Sequence, residues 1–102
     1  MKTALALIGL LAAASAQAAA SPEALRQRAL AATCANCHGT DGRAIAQGEL
    51  PALAGLPKAY LLEQLAAFRD GRRPATVMHQ LTKGYTPEQL DAIATWFAAQ
   101  PR

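Results

Sequence analysis

Both cysteines of the chain and one of its two histidines lie within the ten residues TCANCHGTDG, from Thr33 to Gly42. Two residues separate Cys34 from Cys37, and His38 follows Cys37 directly. Thiol and imidazole groups at this spacing can form a disulfide, exchange electrons as a dithiol, bind a metal ion or hold a larger prosthetic group. The rest of the sequence decides which of these four kinds of chemistry the motif supports.

The first three kinds of chemistry fit the rest of the chain poorly. A disulfide across a two-residue spacer closes a tight, redox-active ring, whereas a structural disulfide usually closes a long loop. A thioredoxin-like dithiol needs a βαβ framework, which a helical chain does not supply. A structural zinc site needs four ligands, and His79 is the only further histidine or cysteine in the sequence. A prosthetic group is therefore the favoured interpretation.

The string C-x-x-C-H predicts covalent attachment of a c-type haem. Two thiols about one helical turn apart can each add across a vinyl group of the porphyrin, and the next residue can then present a ring nitrogen to the iron. A backbone carbonyl bonded to the other ring nitrogen would fix the tautomer. We expect one haem c, with Cys34 and Cys37 as its thioether links and His38 as an iron ligand.

Two adjacent residues compete for the sixth position on the iron. Met78 and His79 lie in the segment RRPATVMHQLTKGYT, and adjacent side chains point apart, so only one of them can reach the iron. Met78 is preferred because a thioether needs no deprotonation, and His79 is expected to be an exposed surface residue. His/Met ligation leaves no open site and suits electron transfer. The alternative is a haem enzyme of the peroxidase type with an open sixth position.

The first predicted helix covers residues 22–33 and ends where the cysteine motif begins. Ser21 can cap this helix, and Pro22 suits its first position. Its buried face is predicted from apolar residues that recur with helical spacing, namely Leu25, Ala29 and Ala32.

Two further helices are predicted from their caps and apolar periodicity. The second begins at Pro57 and ends at Gly71, and the third begins after Thr86, whose side chain can form a capping box with Gln89. Their predicted buried residues are Leu61, Leu65 and Phe68 in the second helix, and Leu90, Ile93, Ala94 and Phe97 in the third.

The regions between these helices, residues 39–56 and 72–85, are predicted to be loops. No segment of strand length alternates between apolar and polar residues, so the predicted fold class is all-α with about three main helices. The net charge of +3 at pH 7, with 17% charged residues, excludes a polybasic nucleic-acid binder. We expect no nucleic-acid partner.

The first twenty residues have the layout of a secretory signal peptide. Lys2 precedes an apolar run at residues 4–14, and small residues continue to Ala20. The apolar run is too short to cross a bilayer comfortably. We expect cleavage of residues 1–20, no stable membrane insertion afterwards, and a single domain of residues 21–102 in the periplasm. A domain of this size has a marginal core, which a cofactor can supplement.

The motifs together resemble a class I c-type cytochrome. They are C-x-x-C-H-G, LPALAGLP, YLLEQLAAFRDGRR, a single later methionine and LTKGYTPEQLDAIATWFAAQ. More narrowly, they resemble the small cytochromes related to the haem subunit of flavocytochrome c sulfide dehydrogenase. The resemblance covers residues 22–100. It implies a class I cytochrome c fold around one covalent haem, with Cys34 and Cys37 as thioether links and His38 and Met78 as axial ligands.

The resemblance carries further expectations about geometry and partners. It implies that the carbonyl of Pro51 orients His38, and that the first and last helices cross near Trp96 or Phe97. It also implies a carrier of single electrons whose partner is a flavoprotein dehydrogenase, a terminal oxidase or another cytochrome. Four cations precede or follow the methionine: Arg69, Arg72, Arg73 and Lys83. They form either a basic rim at the haem edge or a solvated helix end.

Overall fold

The computed structural model describes residues 19–102, and all regular elements in this range are helical. They are α1 (Pro22–Ala32), α2 (Ala35–His38), a 3₁₀ turn (Thr40–Gly42), α3 (Lys58–Asp70), α4 (Met78–Lys83) and α5 (Pro87–Ala98). The predicted all-α class is therefore confirmed. The predicted signal peptide, residues 1–20, lies outside the described residues except for its last two, and the domain boundary stays a prediction.

Helix α1 begins as the sequence predicts but buries a different face. The Ser21 hydroxyl accepts a hydrogen bond from the Ala24 amide at 3.1 Å. Leu25, however, is 53% exposed, and the buried residue of this helix is Ala31. The prediction of the face was wrong because an alanine-rich helix has more than one apolar stripe. Packing against α5 selects the stripe in which a small alanine lies at the contact.

Helices α3 and α5 agree closely with their predicted ends. Gly71 ends α3 in the left-handed conformation, with a φ of 81°. Thr86 and Gln89 form the predicted capping box at the start of α5. The predicted apolar face of α5 is confirmed, since all four of its predicted residues are buried. In α3 the prediction holds in part: Leu61 is buried and Leu65 is half-buried against the core, whereas Phe68 is half-buried outside the core cluster.

The core forms where α5 packs between α1 and α3. Phe97, 1% exposed, is its largest fully buried side chain and belongs to the same cluster as Ala31. Trp96 is half-buried at the edge of this cluster, and its indole nitrogen donates to Asp41 Oδ1 at 3.2 Å. α5 therefore connects the first helix, the turn after the cysteine motif and α3.

The region predicted as a loop at residues 72–85 contains a helix, α4, so that part of the loop prediction was wrong. No side chain caps α4, and the sequence carries no start signal for it. It is stabilised by packing against α3 and by Thr82, 1% exposed, whose hydroxyl donates to the carbonyl of Met78 at 2.9 Å. The other predicted loop, residues 39–56, contains the 3₁₀ turn.

None of the helices in the described range is long and apolar enough to cross a membrane.

Candidate cofactor site

The two cysteines and His38 lie on one short helical turn. Cys34 caps the start of α2, and its carbonyl accepts the amide of His38 at 3.0 Å. Cys34 is half-buried and Cys37 is exposed, and both are free thiols. The structure therefore presents two unpaired thiols one turn apart, beside an imidazole, as attachment of a prosthetic group requires.

The half-buried position of Cys34 disfavours its thiolate form. Burial raises its pKa above the ordinary value, and a weak interaction with the Thr33 hydroxyl opposes this only in part. A thiol with a raised pKa stays protonated at neutral pH, whereas dithiol exchange needs a thiolate. This environment disfavours the redox-switch interpretation of the motif.

His38 is 8% exposed, and its ring is held by one specific hydrogen bond. Its Nδ1 lies 2.8 Å from the carbonyl oxygen of Pro51. A carbonyl can only accept, so Nδ1 carries the proton, and in the neutral ring Nε2 keeps its lone pair. This is the arrangement of a metal-ligating histidine, whose second nitrogen is usually fixed by a carbonyl or carboxylate. The expected contact between His38 and Pro51 is thus present.

Two glycines fold the chain back so that Pro51 reaches His38. Gly39 and Gly42 both have positive φ, 82° and 74°. The Gly42 carbonyl accepts the amides of Leu53 at 2.7 Å and Ala54 at 3.0 Å, which anchors the segment that follows Pro51. A Cβ atom at Gly42 would lie 2.8 Å from Phe97 Cδ1, so no larger residue fits there without movement. The turn is therefore built against α5.

Met78 lies on a different element from the cysteine motif. It is the first residue of α4 and is half-buried. The structure brings Cys34, Cys37 and His38 together within α2 and its cap, and it places Met78 on the helix packed on α3.

His79 is not the exposed surface residue that the sequence suggested. It is half-buried, and its Nδ1 is buried with no hydrogen-bond partner among the described residues. The prediction was wrong because the helix α4, which turns this ring toward α3, has no sequence signal. A buried ring nitrogen without a partner costs about 1–3 kcal/mol.

Large apolar side chains are exposed on the segments next to the predicted ligands. Ile45 and Leu50 flank the turn to Pro51, and Val77 and Leu81 flank Met78 in sequence, all between 47% and 53% exposed. Water disfavours so much exposed apolar surface in a small domain, and a flat apolar cofactor could cover it. The free thiols, the fixed His38 tautomer and these apolar side chains together fit a covalently held haem.

The four cations of the predicted basic rim have different environments. Arg72 bonds to Glu63 and Asp70, both at 2.8 Å, and these carboxylates raise its pKa further above the ordinary value. Its charge is therefore offset locally. The other three cations line one open cavity of about 310 Å³ at the end of α3, together with His79: Arg69, Arg73 and Lys83.

Comparison with known proteins agrees with the chemistry of the site. The sequence profile of the cytochrome c family matches residues 25–99. The chain is 41% identical over 81 residues to the thiosulfate dehydrogenase electron acceptor of Thiomonas intermedia, an alignment that covers 79% of this chain and 34% of that protein.

Two further relatives are named as a cytochrome subunit and as a cytochrome c. The cytochrome subunit of sulfide dehydrogenase from Chlorobaculum tepidum is 39% identical over 72 residues, which covers 71% of this chain and 64% of that protein. Cytochrome c-554(548) of Halomonas halodenitrificans is 37% identical over 71 residues, which covers 67% of this chain and 84% of that protein. The chain thus spans about a third of the first relative and under two thirds of the second.

Proposed function

Because the chain belongs to the cytochrome c family and carries one covalent haem c, we propose that it passes single electrons between redox proteins in the periplasm. In this proposal Cys34 and Cys37 form the thioether links, and His38 and Met78 bind the iron. The haem supplies an iron that alternates between two oxidation states by one electron. The protein holds the group and limits its movement when the charge changes.

The hydrogen bond between His38 and Pro51 is the observation that carries this proposal. It leaves the Nε2 lone pair free and fixes the ring in a buried position, so His38 can bind the iron in both oxidation states without rotating. A fixed ligand means little rearrangement on electron transfer. A carrier requires this, and the sixth ligand then distinguishes a carrier from an enzyme that exchanges ligands at the iron.

Met78 completes the proposed site as the second axial ligand. Its thioether carries no proton, so binding does not depend on a proton being released. Methionine ligation also raises the reduction potential. A filled sixth position excludes peroxide from the iron and thereby disfavours the peroxidase-type alternative.

A Met78→Ala variant tests this assignment, and His79→Ala is its matched control. We expect Met78→Ala to abolish the weak red absorption band of methionine-ligated ferric haem. We also expect it to lower the reduction potential by on the order of 0.1 V. His79→Ala should keep the band. Two outcomes would show that Met78 is not the ligand: loss of the band only in His79→Ala, or an unchanged band in both variants.

The proposed electron donor is a sulfur-oxidising dehydrogenase. One relative is named as the cytochrome subunit of sulfide dehydrogenase and another as an electron acceptor of thiosulfate dehydrogenase. A flavoprotein that oxidises sulfide is the donor we favour. The alignment covers 64% of the cytochrome subunit of sulfide dehydrogenase but only 34% of the thiosulfate dehydrogenase electron acceptor. Mixing the oxidised protein with each enzyme and its inorganic substrate distinguishes the two donors, because only the true donor reduces the haem rapidly.

A further inference from the structure

The side chain of Thr33, directly before Cys34, joins two distant parts of the chain. Its hydroxyl lies 2.7 Å from the carbonyl of Leu30 and 2.6 Å from the hydroxyl of Tyr85. A threonine hydroxyl has one proton, and the carbonyl can only accept it. Tyr85 must therefore donate to Thr33 Oγ1, across 52 positions of sequence.

Tyr85 is also held from a second side. Its backbone carbonyl accepts a hydrogen bond from Arg69 of α3 at 2.7 Å, and its ring packs half-buried against the core cluster. The next residue, Thr86, caps α5. Tyr85 thus lies where α1, α3 and α5 come together, with its hydroxyl directed to the cysteine segment.

Few contacts fix the position of α4. α4 has six residues and no capping side chain, so it is not stable on its own. It packs extensively only against α3, and Gly84, Tyr85 and Thr86 alone separate it from α5. Among the side-chain hydrogen bonds of the described residues, the bond from Tyr85 to Thr33 is the one that ties this turn to the segment carrying Cys34.

We propose that the Thr33–Tyr85 hydrogen bond is a latch that holds α4, and with it Met78, in place against the cysteine segment. Tyr85 is then a positioning residue for the sixth ligand, and this role rests on the proposed ligation of the iron by Met78. Without the latch, α4 moves away from the iron more readily, and an external ligand can replace Met78. The fold itself, held by the packing of α5, should stay intact.

The test measures how readily imidazole displaces Met78 in the ferric holoprotein. The red methionine band is followed during an imidazole titration of the wild type, Tyr85→Phe, Thr33→Val and the double variant. A neutral hydrogen bond is worth about 0.5–1.5 kcal/mol, so imidazole should bind about 2- to 12-fold more tightly to each single variant. The double variant should bind no more tightly than the singles, because both remove one bond.

Tyr60→Phe is the matched control. Tyr60 is exposed on α3, and the substitution removes the same hydroxyl group as Tyr85→Phe. The affinity of the Tyr60→Phe variant for imidazole should therefore equal that of the wild type. Unchanged imidazole affinity in Tyr85→Phe would overturn the latch, as would additive effects in the double variant. Circular dichroism at the temperature of the titration checks that every variant is folded.

The outcomes separate the latch from the ligand assignment. If Met78→Ala loses the band but Tyr85→Phe binds imidazole like the wild type, the ligand assignment stands and the latch is wrong. If the wild type lacks the band, or Met78→Ala retains it, Met78 is not the ligand and both proposals are wrong.

Discussion

A single backbone carbonyl determines which nitrogen of His38 can act as a ligand. Pro51 is exposed, so its side chain adds little to the core, but its carbonyl accepts the Nδ1 proton at 2.8 Å. The proline ring fixes φ and so reduces the conformational freedom of the segment that carries this carbonyl. The chemistry of the site thus depends on the chain between the two residues as much as on the histidine.

The first prediction at the residue scale concerns Gly42, which builds that part of the chain. Gly42→Ala should lower the free energy of unfolding by about 2–5 kcal/mol, because it adds both backbone strain at positive φ and a clash with Phe97. Denaturant titration of the holoprotein measures this change. The turn that presents Pro51 should loosen with it, which a broadened ferric spectrum would reveal.

Gly71→Ala is the control for backbone strain alone. Gly71 has a φ of 81°, but a Cβ atom there would meet nothing within 4 Å. We expect a loss of about 1 kcal/mol from this variant. Equal losses from the two variants would show that contact between the turn and α5 does not matter.

At the scale of elements, local signals predicted three of the five helices and missed the two short ones, α2 and α4. Ser21, Gly71 and Thr86 mark helix ends through their own backbone and side-chain chemistry, and the structure confirms each of them. α4 has no such signal, because it is stabilised by packing on α3 and by Thr82. Long-range packing of this kind cannot be read from a window of neighbouring residues.

In the candidate site, too, local motifs were predicted from the sequence, and features that depend on long-range packing were missed. The C-x-x-C-H string predicted Cys34, Cys37 and His38 because it is local and specific. The environment of His79 could not be predicted, since its burial depends on how α4 packs. The Tyr85 hydrogen bond to Thr33 was missed for the same reason, as it joins residues 52 positions apart. The contact between His38 and Pro51 was predicted from the resemblance to class I c-type cytochromes and not from the chemistry of the residues themselves.

The prediction at this scale compares the caps of two helices. Thr86→Ala should lower the free energy of unfolding by about 1–2 kcal/mol, because it removes the capping box of α5 and loosens the turn that buries Leu90. Ser21→Ala removes a similar bond at the start of α1, where Leu25 is exposed, so about 0.5–1 kcal/mol is expected. Urea titration measures both variants, and a larger loss from Ser21→Ala would contradict the central role of α5.

At the scale of the whole molecule, the core is small for a stable domain. Among the described residues, the buried apolar side chains larger than alanine are Leu61, Leu90, Ile93 and Phe97. Ile45, Leu50, Val77 and Leu81 leave a substantial apolar area exposed on the segments near the proposed ligands. A bound haem would cover such surface and add its own apolar contacts, so we expect the cofactor to contribute to folding as well as to function.

The distribution of charge bears on how the molecule meets its partners. Arg69, Arg73 and Lys83 line one cavity beside α4, whereas the charge of Arg72 is offset by two carboxylates. This cavity is lined in part by His79 and Lys83 of α4, the helix that begins at Met78. If electrons leave near that element, a negatively charged partner should approach there, guided by a local patch rather than by the modest net charge.

Reversal of one charge in this patch tests where electrons leave. We expect Lys83→Glu to slow oxidation of the reduced protein by ferricyanide, a trianion, about 2- to 10-fold at low ionic strength. Stopped-flow absorbance of the haem gives the rate, and the difference should shrink at high salt because the screening length falls from about 30 Å at 0.01 M to about 3 Å at 1 M.

Arg28→Glu is the matched control, since it changes the net charge equally at an exposed position on α1. A cationic oxidant should show the reverse effect. Equal slowing by the two variants would mean that only net charge matters and that electrons do not leave beside α4.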